Sequence, residues 1–374
     1  MFSALARTPR VALLKHQPMK SIAALLTLAL SATHISAAVE QIAGAPTTEA
    51  VSEPFSIDFD SNGAMYGVEF TKSNRIFKLD GGKLSFIAGV QHSEDEKVKK
   101  TTTDVGDGAD PHKAVFNGMH DIQITRDGRA YIGDSFHHRV RLLDLASGHV
   151  STIAGTGAGG FSGDGGPATA ATFSITMTAT LSPDQKRIYV ADIGNSRTRM
   201  IDIATGIVTT VAGNGKKGLP ADDSDALTAP MGDTRAVTQA NDGTLYVLLR
   251  GGNSLVAVKD GKARTVVNAE GKSGYGGDGG PARDAKMNGP KYVAMDANQN
   301  VLICDTENHC VRRYSPTTGK IELIAGSPPK SGKTIGATFL QTQLSRPHGV
   351  RMGPDGKLYI ADTYNNRVLR GDYK

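Results

Sequence analysis

From residue 39 to its end the chain alternates short apolar segments with clusters of Gly, Asp, Asn and Ser. Segments of that length, closed by turn residues, predict strands that bury one face. They follow a fixed order. An apolar run leads to a turn with Asp or Asn and Gly. A second strand carries an aromatic–aliphatic pair and ends on an acidic residue. A short loop ends in Asn and Arg, a third strand follows, and a fourth ends in Ile-Ala-Gly. The last copy is the clearest: Arg346-Pro347-His348-Gly349-Val350, Pro354-Asp355-Gly356, Leu358-Tyr359-Ile360-Ala361-Asp362, Asn365-Asn366-Arg367-Val368.

Glu69, Asp134, Asp192, Leu249, Asp305 and Asp362 mark six copies, with spacings of 65, 58, 57, 56 and 57 residues. The first and fourth copies are the weaker ones. A repeated four-stranded unit buries its faces only against its neighbours, so the period predicts an array of sheets. Ile87-Ala88-Gly89, Ile153-Ala154-Gly155, Val211-Ala212-Gly213, Val267-Asn268-Ala269 and Ile324-Ala325-Gly326 close copies one to five. Copy six runs out without a closing strand, and Val39–Gly44 ends in Ile42-Ala43-Gly44. The N-terminal strand is therefore expected to complete the last sheet and tie the two ends together.

The Tyr-aliphatic-Ala-Asp core followed by Asn-Asn-Arg resembles the NHL-repeat family of β-propellers, across essentially all of 39–374. The resemblance implies an all-β, six-bladed propeller of four-stranded antiparallel blades around a central channel, as a single domain. A WD40 array is the poorer match, because the chain has no Trp and that period is about 40–45 residues.

Residues 1–38 read as a secretory signal: Lys20, an apolar run over 21–30, and Ser36-Ala37-Ala38 before Val39. Met19 is an alternative start. The apolar run is too short to span a bilayer, and none later approaches that length. A secreted, periplasmic or extracellular location is expected. The formal charge of +5 rests on this segment, whose Arg7, Arg10, Lys15 and Lys20 face no acidic residue. Without those four, 38 basic residues stand against 37 acidic ones, or +1. That balance gives no case for nucleic acid or an anionic membrane, although intracellular members of the family bind RNA.

The linkers Gly160–Ala168 and Gly274–Ala282 are near-copies containing Gly-Asp-Gly-Gly-Pro-Ala, and Val105–Pro111 is a degenerate third. One carboxylate per loop is too few for calcium, so these read as structural loops. The repeated Asp likewise reads as a turn carboxylate bonded to local backbone and to the loop Arg. The charged run Ser93–Lys100 lies in the longest insertion and reads as a solvated excursion or a lid over the channel.

Candidate chemistry lies where the innermost strands begin. With His348 as template, the six copies place Phe55, His120, Met177, Arg235, Lys291 and His348 around one channel mouth. The set has no carboxylate, two cations and two imidazoles, which suits a small anion. Solvation of the channel end is the alternative.

Two enzyme families offer comparisons. Peptidylglycine amidating lyase, a six-bladed propeller, holds catalytic zinc with three histidines. His120 and His348 look like two of them, while Arg235 occupies the third place. A zinc site would then have to recruit His112, His137, His138 or His309. Gluconolactonase-like propellers hold a divalent metal with Glu, Asp and Asn, and Glu69 and Asp121 are the nearest candidates. Zinc and calcium are thus the ions to consider, and the sequence predicts no other cofactor. No serine nucleophile elbow, phosphate loop or dinucleotide fingerprint is present.

Cys304 and Cys310 flank one predicted hairpin loop. Facing each other they would form a disulfide; out of register they would be two small buried residues. The expected function is a monomeric binding module for a small anionic molecule, or for an extracellular protein or glycan. A lyase or hydrolase at the channel mouth, using His120, Arg235 and His348, is the alternative.

Overall fold

The computed structural model describes residue 1 and residues 38–45, 50–91 and 105–373. The signal-like segment and the Ser93–Lys100 run lie outside these residues. Six antiparallel sheets follow one another along the chain. Five are built from consecutive strands, and the fourth gains a short extra strand, Ser224–Asp225, on its outer edge. The sixth is Gly349–Met352, Leu358–Asp362 and Arg367–Gly371, closed by the N-terminal strand Glu40–Ala43. Glu40 pairs with Arg370 and Gln41 with Leu369, so chain start and chain end share one ladder. The innermost strands pack side by side in blade order, and the last packs against the first. This is a closed six-bladed propeller.

The repeated Ile-Ala-Gly has a local cause. Each blade's second and third strands are joined by a short turn that ends in a left-handed residue, such as His138, His309 or Asn366. Its carbonyl points at the end of the fourth strand. A Cβ on Gly155 would lie 2.2 Å from the carbonyl oxygen of His138, and Gly155 itself has φ +91°. Only glycine meets both demands without strain. Blade four corrects the sequence alignment by one residue. Val267 pairs with Leu255 as Ala88 pairs with Ile76, so Asn268, left-handed at φ 53°, stands in the glycine place.

The same left-handed residues clasp each blade to the next. Asn74 Oδ1 accepts the backbone N–H of Gly118 at 2.7 Å, and Asn253 Oδ1 that of Gly289 at 2.8 Å. His138 and His309 do the same through Nδ1, accepting from Ile175 at 2.8 Å and Arg346 at 3.1 Å. Asn366 closes the circle onto Glu53. Ser196 takes the position between blades three and four, and its shorter side chain makes no such bond among the described residues.

The repeated carboxylates are held as a set, only in part by the donors the sequence suggested. Asp134, Asp192, Asp305 and Asp362 accept backbone N–H groups of the segment before the inner strand: Asn117, Ser174, Asn288 and Ser345. Arg367 pairs with Asp362 at 2.7 Å, as expected of the loop arginine. In blades two, three and five the partner is an arginine two residues further on. Arg141, Arg199 and Arg312 are fully buried, each between the turn carboxylate and an aspartate of the glycine-rich linker. The linker pairs are Asp107–Arg141 at 2.5 Å, Asp164–Arg199 at 2.8 Å and Asp278–Arg312 at 2.9 Å. Those loop aspartates are therefore committed to arginine.

Candidate functional site

In four blades the innermost strand carries a β-bulge at its start. The register shifts fall between Pro54 and Ser56, Met119 and Asp121, Thr176 and Ala179, and Thr234 and Ala236. Phe55, His120, Met177 and Arg235 lie within these shifts. Lys291 and His348 immediately precede their strands and donate backbone N–H bonds to Cys304 and Ala361 of the next strand. The six candidates thus occupy one equivalent position. A bulge lets two successive side chains face the same side, so in these four blades the next residue also turns toward the axis, and Tyr292 of blade five joins that layer through its bond to Asp121.

That second layer is a polar core centred on Asp121, in which the buried Thr178 Oγ1 is left without a hydrogen-bond partner among the described residues. Asp121 Oδ1 accepts from Ser56 Oγ and Tyr292 Oη, both at 2.8 Å, and its Oδ2 from the Ala179 N–H at 3.1 Å. Ser56, Asp121 and Tyr292 come from blades one, two and five, so the bonds cross the axis and brace it. Anchors from the turn side position the ring as well. Ser135, Thr306 and Thr363 donate to the carbonyls of Thr176, Pro347 and Pro54, each the residue just before the next blade's ring member.

All six ring residues are buried, with exposures of 4–8%. Phe55 stacks on His348 at 4.0 Å and meets His120 edge-on at 4.9 Å. His120 Nδ1 lies 2.8 Å from the Gly118 carbonyl, and His348 Nδ1 2.8 Å from that of Arg346. A carbonyl partner assigns the proton to Nδ1, which leaves Nε2 as an acceptor. Burial pushes both imidazoles well below their ordinary range; the charge of Arg235 adds for His120, and Lys291 and Arg235 for His348. Both are therefore neutral near pH 7.

The cations differ from one another. Lys291 Nζ bonds Glu307 at 2.8 Å, and Glu307 also pairs with Arg346. Burial pushes Lys291 down to about 8 despite that carboxylate. Arg235 is 4% exposed and makes no hydrogen bond or ion pair with its guanidinium among the described residues. Burial and the neighbouring Arg250 push it below the usual arginine range.

The donor set does not fit a three-histidine zinc site. Only His120 and His348 supply imidazoles to the ring, with Phe55 packed on both and Arg235 at the third place. His138 and His309 are committed to the blade clasps, and His137 Nδ1 bonds Asp134 at 2.9 Å. Among the described residues no group of three or more His, Cys, Asp or Glu side chains is arranged to hold a metal. Glu69 and Asp121, the carboxylates considered for a lactonase-like metal, already accept from protein donors; Glu69 takes Ser52 N–H and Arg75.

The disulfide alternative is corrected. Cys304 pairs with Val311 and Cys310 with Asp305, one step out of register. Both thiols are free and buried, and burial raises both.

Sequence reasoning missed the second tier of the mouth. Phe70, Phe136, Arg250, Glu307 and Tyr364 lie one or two residues after the marker residue of their copies. Phe70 stacks on Phe55 at 4.2 Å.

Fold and site together define a six-bladed β-propeller with a histidine- and cation-lined mouth. Within that class, the chain carries NHL repeats: the NHL repeat family model matches residues 287–314 and 344–370, in blades five and six. It is similar to the chloroplastic protein SUPPRESSOR OF QUENCHING 1 of Arabidopsis thaliana, 28% identical over 274 residues, covering 69% of this chain and 25% of that protein. NHL repeat-containing protein 2 of Gallus gallus is 24% identical over 285 residues, covering 68% of this chain and 39% of its own length. The chain thus spans a quarter to two fifths of these relatives. An auxiliary nutrient binding protein from Bacteroides thetaiotaomicron superimposes with a TM-score of 0.64 at 14% identity, over 90% of this chain and 76% of that one. A streptogramin B lyase does so at 0.51 and 17% identity, over 91% and 99%. These likenesses show the propeller fold.

Proposed function

We propose that the chain is an exported, monomeric binding propeller that takes a small anion at the mouth formed by His120, Arg235, Lys291 and His348. Arg235 carries the reading. A buried charge without a partner is costly, and native proteins pair or neutralise such groups. No carboxylate of the ring supplies that partner, so an anion from outside is its natural complement. The two Nε2 acceptors add places for a ligand hydroxyl or amide. The likeness to a Bacteroides nutrient binding protein supports a binding role and is consistent with a location outside the cytoplasm.

Titration calorimetry with acetate, sulfate and phosphate tests the reading. At least one anion is expected to bind the wild type, and Arg235→Gln to weaken it tenfold or more. Equal binding by both proteins, or no binding of any anion, overturns it.

One observation favours a second reading, a lyase. A neutral imidazole beside a cation can take a proton from a carbon acidified by a carboxylate that the cation holds, the C–H electron pair forming a C=C as a substituent on the next carbon departs with its bonding pair. In that case His120→Ala and His348→Ala abolish turnover while leaving anion binding within a few-fold.

A further inference from the structure

The mouth is divided in two. Blades six, one and two supply rings: Phe70 lies 4.2 Å from Phe55 and 6.0 Å from Phe136, and Tyr364 stacks on the far side of His348 at 6.1 Å. Blades four and five supply cations: Arg235, Arg250 and Lys291. In a six-membered ring blade one stands opposite blade four, so the aromatic wall faces the cationic wall across the axis.

The two walls differ in what they leave unsatisfied. Lys291 shares the single Glu307 carboxylate with Arg346. Among the described residues Arg235 makes no hydrogen bond or ion pair with its guanidinium, the Asp121 carboxylate acting on it only through its charge, and Arg250 stands exposed beside it. On the opposite wall Phe70 and Phe136 are only half-buried, and Tyr364 is 49% exposed. Rings held at a rim offer stacking to a planar ligand, and a guanidinium fork matches a planar carboxylate in two parallel hydrogen bonds.

We propose that the ligand is a small aromatic carboxylate, its ring against Phe70 and Phe136 and its carboxylate on Arg235 and Arg250. This rests on the anion-binding reading above and adds the class of ligand.

The test uses calorimetry of the full chain with 2-naphthoate, acetate and inorganic phosphate. The wild type is expected to bind 2-naphthoate at least tenfold more tightly than acetate or phosphate, with Arg235→Gln weakening it tenfold or more. Phe70→Leu, which keeps an apolar side chain at that place, is expected to weaken 2-naphthoate three- to tenfold and leave acetate unchanged. Tyr364→Leu, at a half-exposed position whose hydroxyl bonds only Arg346 among the described residues, is expected to weaken it about threefold. Equal affinity for 2-naphthoate and acetate, both lost in Arg235→Gln, overturns the aromatic class and leaves anion binding standing. So does tighter binding of phosphate. Loss of 2-naphthoate binding in neither ring variant also overturns the aromatic class. Failure of all three probes overturns both readings.

Discussion

Asn366 Oδ1 accepts the backbone N–H of Glu53 at 2.9 Å, across 313 residues of sequence. With the N-terminal strand it holds blade six to blade one, and the same clasp recurs at four other junctions. The neighbouring anchor is buried: Thr363 Oγ1 donates to the Pro54 carbonyl at 2.7 Å. Their depths set their worth. Asn366→Gly keeps the left-handed conformation at φ 52° and loses an exposed bond, an expected cost of about 0.5–1 kcal/mol. Thr363→Val keeps the shape and strands a buried carbonyl, at about 1–3 kcal/mol. Urea unfolding with unchanged slope should show the threonine variant as the less stable; the reverse order would mean that the turn, not the anchor, holds the ring.

A second prediction concerns the buried arginines. Arg312 stands between Asp305 and Asp278, and burial raises the Asp305 carboxyl to about 6 even with that guanidinium beside it. Removing the cation alone leaves a fully buried carboxylate uncompensated. Arg312→Val should therefore cost about 3–5 kcal/mol. Blade four carries Leu249 and Val256 at the two equivalent places, so an apolar pair is compatible with the blade. Adding Asp305→Leu to Arg312→Val should recover part of the loss, with a favourable coupling of about 1–3 kcal/mol. Simple additivity of the two losses in a double-mutant cycle would show that the pair does not act as a unit.

The repeat, the blade count, the N-terminal closure and the ring position were all legible, because each is a periodic feature tied to strand order. The atoms that join blades were not. The clasp residue is Asn, His or Ser in turn, since any short acceptor that tolerates a left-handed backbone will serve. The partnership of Arg141, Arg199 and Arg312 with linker aspartates joins residues 34 or 35 apart. Its signal was the presence of such an arginine only in the three copies with a glycine-rich linker. The second tier of the mouth was hidden differently: the first position after the marker holds Phe, Ser, Ile, Arg, Thr and Thr in turn, so no single residue type marks it. Aligning those positions across copies would have exposed Arg250 and Phe70.

The cysteine register follows the other blades. The acidic residue pairs with the residue five further on, as in Asp134–Arg139 and Asp362–Arg367, so Cys310 opposes Asp305 and not Cys304. Thiol titration of the native protein should therefore give almost no reaction, and two thiols should react after denaturation. Reductant should leave the thermal midpoint unchanged. A midpoint that falls on reduction would require a disulfide and overturn the register.

The pH dependence of anion binding follows from the ring. Burial, opposed by the hydrogen bond from Lys291 to Glu307, sets that ammonium at about 8 in the free protein. Below this value the cation is present before the ligand arrives. Above it, binding must recruit a proton, so affinity for an anion such as 2-naphthoate should fall by up to tenfold per pH unit from about pH 8. Lys291→Met should bind more weakly at pH 7 and lose that alkaline fall. The imidazoles act at the other end. Their folded values lie below the unfolded one, so the stability they contribute is present above about pH 6.5 and is lost as pH drops below it. Because they stay neutral down to that range, affinity should not climb between pH 8 and 6.5 beyond what Lys291 supplies. A steep rise there, retained in Lys291→Met, would show that His120 or His348 charges within this window and that the mouth is wetter than its 4–8% exposures imply.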